Sequence, residues 1–228
     1  MTFKYESAVP WGRSFEEYRR MFALTEADLR KRIVGCADGP ASFNAASCQK
    51  GQRVTSIDPL YQWTKEQIQN RINETFDQVI KQTRDNREKF LWDVISSPDE
   101  LGSVRMAAVQ EFLADYDDGR NCGRYVAAEL PHIPFAADAF DIALSSHFLF
   151  LYSDNLSLEF HRKAIDEMCR VAREARIFPL LNYNAELSPY LDPLVRNLES
   201  TGHTVSIERV PYEFQRGANQ MLRVVKKG

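Results

Sequence analysis

Three stretches of this 228-residue sequence combine residue types and spacing that suit chemistry. The first is Gly35-Cys36-Ala37-Asp38-Gly39-Pro40-Ala41. Its small side chains let a ligand approach the backbone, and a helix that starts behind such a run presents free N–H groups to negative charge. The second is Asp58, nineteen residues past Gly39 and followed by Pro59 and Leu60. A lone carboxylate at a strand end can accept hydrogen bonds from both vicinal hydroxyls of a ribose, each contributing about 1.5–3 kcal/mol because the acceptor is charged. A nucleoside-containing ligand follows. The third is Ser145-Ser146-His147-Phe148-Leu149-Phe150-Leu151-Tyr152. His147 titrates intrinsically near pH 6.5 and can serve as a base, or can simply shape a pocket; Tyr152 is the second catalytic candidate.

The elements around these stretches predict where they sit. Lys31 to Cys36 is a brief buried strand, Ala41 to Cys48 a helix, and Arg53 to Asp58 a β-branched strand halted by Pro59, which together make a βαβ unit. Ser14-Phe15-Glu16-Glu17 has the pattern of a capping box and opens an amphipathic helix, so residues 1–30 form a helical cap. Ile68, Ile72, Phe76, Val79 and Ile80 step by threes and fours toward Phe90, Leu91 and Val94, and Ser97-Pro98-Asp99-Glu100 opens a second long helix. Residues 60–120 are thus a helical insertion, with seven basic and twelve acidic residues between Lys65 and Asp118. Further strands are expected over 124–129, 140–146 and 176–181. The end of the chain, 204–210 and 221–225, predicts an antiparallel hairpin on the sheet edge. In an open parallel sheet, ligands bind beyond the carboxyl ends of the strands, where the three stretches fall.

Composition narrows the functions. Twenty-nine basic against thirty-two acidic side chains give a net charge of -3, so no overall positive field favours nucleic acid or anionic lipid. No apolar run approaches the roughly 20 residues of a membrane span, and the first residues read as neither a secretory nor a transit signal, which leaves a cytoplasmic expectation. Cys36, Cys48, Cys122 and Cys169 are scattered and read as reduced structural thiols. Asp154, Glu159 and His161 have the spacing of a solvent-facing helical turn, so no metal site is expected.

The run from Gly35 to Ala41, Asp58, Glu129-Leu130 and the Leu130-Pro131-His132-Ile133-Pro134-Phe135 segment leading to Asp138-Ala139-Phe140-Asp141 resembles the class I S-adenosylmethionine-dependent methyltransferases over residues 32–226. A dinucleotide enzyme would need G-x-G-x-x-G, and only Gly35 and Gly39 are glycine here. The resemblance implies one domain over 1–228: a seven-stranded mixed α/β sheet, mostly parallel, with a C-terminal antiparallel hairpin, flanking helices and a helical cap. It implies S-adenosylmethionine as cofactor, held by Gly35, Ala37, Asp38, Gly39, Asp58, Pro59, Leu60, Glu129, Leu130 and Ser146. Asp58 would bind ribose, Pro59 or Leu60 would flank adenine, and Glu129 with the Leu130 backbone would read the adenine edge. The family's first motif is an acid followed by three alternate glycines, whereas Gly35 stands at the acid position and Ala37 and Ala41 at two glycine positions. Asp38 is the candidate to replace the missing carboxylate and pair with the cofactor's amino group. The implied activity is methyl transfer to a small or medium-sized acceptor, with Trp11, Arg13, Tyr18, Tyr61 and Trp63 as residues that could meet it. The alternatives are a protein that binds the nucleoside without turnover, and a nucleic-acid or protein methyltransferase, which the charge and the absent Asn-Pro-Pro-Tyr type signature disfavour.

Overall fold

The computed structural model describes residues 10–227, so the first nine residues of the expected 1–30 cap lie outside the described residues. Seven strands form one sheet in the order β3-β2-β1-β4-β5-β7-β6: β1 Arg32–Cys36, β2 Arg53–Ile57, β3 Tyr125–Val126, β4 Phe140–Ser146, β5 Ala172–Phe178, β6 Thr204–Arg209 and β7 Gln220–Val225. Neighbours from β3 to β5 run parallel, and β7 runs antiparallel to both β5 and β6. This is the expected mixed sheet with its terminal hairpin.

Side-chain alternation explains how the sheet is held on both faces. Val34, Cys36 and Ala143 face one core with Ile165 and Met168 of α6 (Leu158–Val171) and Leu194 and Leu198 of α7 (Leu191–Ser200). Ile33, Ile142 and Leu144 face the other, with Phe15, Tyr18 and Met21 of α1 (Phe15–Met21), Leu29 of α2 (Glu26–Leu29) and Phe43 of α3 (Phe43–Gln49). Successive residues of one strand thus serve opposite cores, as the two-residue period requires. A third cluster joins α4 (Lys65–Asp85) and α5 (Pro98–Asn121) to β3 through Ile68, Ile72, Phe112, Tyr116 and Tyr125. Gly102 lets α4 and α5 approach closely, since a Cβ there would lie 2.8 Å from the Phe76 ring.

Several boundaries differ from the sequence expectation, each for a local reason. α3 starts at Phe43 rather than Ala41, because Gly39 and Pro40 form a turn and the Ser42 N–H donates to the Arg13 carbonyl at 2.9 Å. α4 stops at Asp85; beyond it Leu91 N donates to the Phe214 carbonyl at 2.7 Å, and Phe90 bridges to Gln215. Ser97 caps α5 as expected, but Glu100 reaches back to Ser96 N at 2.7 Å instead of closing the box on Ser97. β3 has two residues rather than six, because the chain turns away after Val126. β5 begins at Ala172, four residues earlier than expected, since Glu174 and Arg176 are buried as a charged pair completed by Arg223 of β7 and Asp28 of α2. Cys48 and Cys122 are exposed, which corrects their reading as structural thiols; Cys36 and Cys169 are buried.

Candidate functional site

The loops after β1, β2 and β4 open on one cavity of about 540 Å³, within the usual size range of small-molecule sites. After β1, Ala37 and Gly39 take positive φ values of 56° and 55°, which folds the loop tightly against the strand end. The turn is fixed from two sides. Asp58, beyond β2, accepts from the Gly39 N–H at 2.9 Å and from the Leu60 N–H at 2.8 Å, and Tyr61 donates its hydroxyl to the Gly39 carbonyl at 2.7 Å. Tyr61 therefore anchors the loop from behind; it is not among the cavity-lining residues, contrary to the expectation that it meets substrate.

Asp38 turns inward. Its carboxylate accepts from the Tyr18 hydroxyl at 2.7 Å and from the Ser56 hydroxyl at 2.6 Å, and it overlies Gly35 so closely that a side chain there would collide with it. Gly35, expected to touch a cofactor, is not among the residues that line the cavity. Burial pushes both Asp38 and Asp58 up to about 6; neighbouring Asp58 adds to the rise at Asp38. Neither carboxylate has a basic side chain among its hydrogen-bond partners. A buried acid, Asp38, and a half-buried one, Asp58, without a counter-cation among their hydrogen-bond partners and within one cavity, fit a ligand bearing an ammonium group and a ribose.

The remaining nucleoside candidates line the same cavity: Ala37, Gly39, Pro59, Leu60, Glu129, Leu130 and Ser146. Beyond β4, His147 also lines it and adopts φ 54°, held by its N–H donating to the Phe178 carbonyl at 2.7 Å. Its Nδ1 lies 2.8 Å from Ser146 Oγ. Burial, and after it the charges of Arg13 and Arg105, hold the imidazole well below its ordinary titration range. This corrects the expectation of a histidine titrating near neutrality. Tyr152 lines the cavity from a short 3₁₀ turn, edge-on to Tyr183 at 4.9 Å between ring centroids. Trp11, Arg13, Tyr18 and Trp63 reach the wall as well.

His161 is fully buried, with Nδ1 2.8 Å from the Ser157 carbonyl and Nε2 2.9 Å from the Leu149 carbonyl, so it ties α6 to the loop after β4 rather than facing solvent. Sequence reasoning missed a buried charged group at the cavity: Arg105 of α5, 1% exposed, donates to both Glu17 carboxylate oxygens at 2.6 Å, and Tyr212 donates to the same group at 3.0 Å. The signal was available, since Arg105 sits on the same helical face as Leu101, Ala108 and Phe112. An arginine on an apolar stripe needs a buried partner.

No protein-family model matches the chain. Solved structures similar to it include 1,6-didemethyltoxoflavin-N1-methyltransferase of Burkholderia thailandensis (13% identity, 93% of this chain and 79% of that one, TM-score 0.46). Magnesium protoporphyrin IX methyltransferase of Synechocystis PCC 6803 is another (11%, 93% and 91%, TM-score 0.47). A third is a putative S-adenosyl-L-methionine-dependent methyltransferase of Methanococcus maripaludis (10%, 94% and 84%, TM-score 0.48). In sequence, the uncharacterized protein MJ0045 of Methanocaldococcus jannaschii is 36% identical over 212 residues, which cover 92% of this chain and 93% of that protein. Identity at that level across nearly the whole of both chains places them together: the chain belongs to the family of this archaeal protein.

Proposed function

We propose that the protein is an S-adenosylmethionine-dependent methyltransferase acting on a small or medium-sized acceptor. The observation that carries this reading is the pair Asp38 and Asp58, one buried and one half-buried carboxylate without cationic hydrogen-bond partners beyond the ends of β1 and β2, lining a cavity that also reaches His147. When bound, the cofactor supplies an activated methyl on a sulfonium, whose departing thioether is neutral, so alignment does most of the work. Asp58 receives the ribose hydroxyls on the outer lone pairs of a carboxylate that Gly39 and Leu60 already orient. Asp38 receives the ammonium group, taking the role of the acid that position 35 lacks. Glu129 and Leu130 border the base, and Pro59 and Leu60 lie beside it.

His147 is the residue for the acceptor's proton. In the tautomer with the proton on Nδ1, that N–H donates to Ser146 Oγ, whose own hydroxyl points to Met21 Sδ at 3.8 Å, and the Nε2 lone pair is left for the acceptor. The cavity extends past His147 to Phe90, Tyr183 and Phe214, which gives an acceptor room beside the nucleoside and favours turnover over a sealed binding protein. Calorimetric titration of the whole chain with S-adenosylhomocysteine tests the reading. Binding that Asp58→Ala weakens about ten- to a hundred-fold is expected; no heat with folded wild type would sink it.

A further inference from the structure

The strand order divides the cavity. The loops after β1, β2 and β3 bring Gly39, Asp58 and Glu129 to one half, whereas the segments after β4 and β5 and the turn between β6 and β7 border the other. This second half is continuous with His147. The imidazole meets the Phe178 ring at 5.5 Å between centroids, and Phe178 meets Tyr212 at 5.6 Å. In the other direction Phe148 contacts Tyr152 at 6.1 Å, and Tyr152 contacts Tyr183 at 4.9 Å. The tip of the helical insertion crosses over to the same half. There the Leu91 N–H donates to the Phe214 carbonyl at 2.7 Å, the Arg216 N–H donates to the Lys89 carbonyl at 2.8 Å, and the Phe90 and Phe214 rings stack at 5.0 Å.

Residues at that junction sort by charge. In Arg87-Glu88-Lys89-Phe90 only Phe90 lines the cavity, and in Tyr212-Glu213-Phe214-Gln215-Arg216 the two charged residues do not. Those charges are engaged elsewhere: Arg87 lies over the Trp92 ring, Glu213 accepts from the Gly217 N–H and from Asn219, and Arg216 donates to the Glu88 carbonyl. The acidic and basic residues that do line the cavity, Arg13, Asp38, Asp58, Arg71, Arg105 and Glu129, all belong to segments before β4. Among them Arg105 is paired with Glu17 and Arg71 with Glu74. Arg13 belongs to a segment docked on the loop after β1, where its carbonyl accepts from the Ser42 N–H at 2.9 Å and a Cβ on Gly12 would lie 2.7 Å from the Pro40 carbonyl oxygen.

We infer that the acceptor is an uncharged aromatic compound, seated on the rings beyond β4 with the atom to be methylated toward His147. This rests on the methyl-transfer reading and narrows it to one substrate class. A charged acceptor would lose its hydration against walls of rings, which is costly. An aromatic body gains edge-to-face and offset contacts that a saturated one of the same size does not.

Four probes separate these properties when titrated calorimetrically into the S-adenosylhomocysteine complex at neutral pH: 2-naphthol, 2-naphthoate, 2-naphthylmethylammonium and decahydro-2-naphthol. Wild type should bind 2-naphthol about ten-fold or more tightly than either ion, and about three-fold or more tightly than the saturated alcohol. Phe90→Leu with Phe214→Leu keeps the apolar surface without the rings. It should bring the second ratio close to one and leave S-adenosylhomocysteine affinity unchanged; Phe214→Leu alone serves if the double variant changes the circular dichroism. Either ion binding as tightly as 2-naphthol, the saturated alcohol binding as tightly, or none of the four binding overturns the inference. A ratio that the leucine variants leave intact overturns the seat beyond β4. Wild type that binds no S-adenosylhomocysteine sinks the methyl-transfer reading, and this inference with it; intact nucleoside binding without the 2-naphthol preference sinks this inference alone.

Discussion

The carboxylate of Asp38 stands where a side chain on Gly35 would begin. Asp38, three residues downstream, thus takes the space that a side chain at 35 would fill, and glycine at 35 is the condition for its seat. Gly35→Ala should expel Asp38 from its seat between Tyr18 and Ser56. Stability should fall by about 1–3 kcal/mol through the broken buried hydrogen bonds, and S-adenosylhomocysteine affinity should fall with it. Thermal unfolding and titration on the same sample check both. Normal affinity in the Gly35→Ala protein would separate Asp38 from the ligand.

The two raised carboxylates give a pH dependence whose sign can be worked out. Asp38 and Asp58 titrate at about 6 in the fold, against 3.8 as free side chains. Between those values the folded protein keeps protons that the unfolded chain has released, so ligand-free stability should fall as pH rises through that window. A cationic nucleoside needs both acids ionised, so its affinity should rise over the same interval. Asp38→Asn with Asp58→Asn should flatten both trends, followed by melting temperature and Kd from pH 4.5 to 7.5.

Glu17 works in the opposite sense. The neighbouring charges of Arg105 and Arg13 outweigh its burial and hold it at about 2. Its contribution is therefore complete above the ordinary carboxylate range near pH 4.5 and is lost as pH falls toward 2. Glu17→Ala leaves two arginines facing each other without a counter-charge and should cost about 3–5 kcal/mol. Denaturant unfolding at neutral pH measures it, and a loss below 1 kcal/mol would mean that water already neutralises the pair.

His147→Ala should lower turnover about 10²- to 10⁴-fold on a hydroxyl acceptor, with S-adenosylhomocysteine affinity nearly unchanged. The imidazole is held neutral well below pH 6.5, so the wild-type rate should show no inflection from this residue near neutrality. A mutant of nearly normal rate would reduce His147 to a pocket wall.

How far the sequence reveals this molecule depends on how local each determinant is. The βαβ unit, the Ser14 cap and the antiparallel end are written in short patterns, because dihedral preference and the two- and 3.6-residue periods act within a few positions. Asp58 was visible for the same reason, as a carboxylate placed by the strand it follows. What stayed hidden was set by partners far along the chain. Glu174 falls outside the strand expected from Arg176 onward until Arg223 and Arg176 are seen to bury its charge. Arg105 gains its place from Glu17, eighty-eight residues earlier. Gly35 looked like a ligand contact because nothing in a linear reading shows that Asp38 folds back over it.

The placement of β7 between β5 and β6 also constrains the order of assembly. A ribosome releases β6 before β7, yet among the described residues β6 pairs with no strand but β7. The parallel portion from β1 to β5, with the loops that carry Asp38, Asp58 and His147, can therefore arrange itself while the chain is still being made. The far edge must wait, with Ile207 and its neighbours unpaired, until the strand that inserts beside them has left the exit tunnel. During that interval both β5 and β6 present open backbone edges, which makes nascent chains stalled short of Gln220 the form of this protein most exposed to self-association.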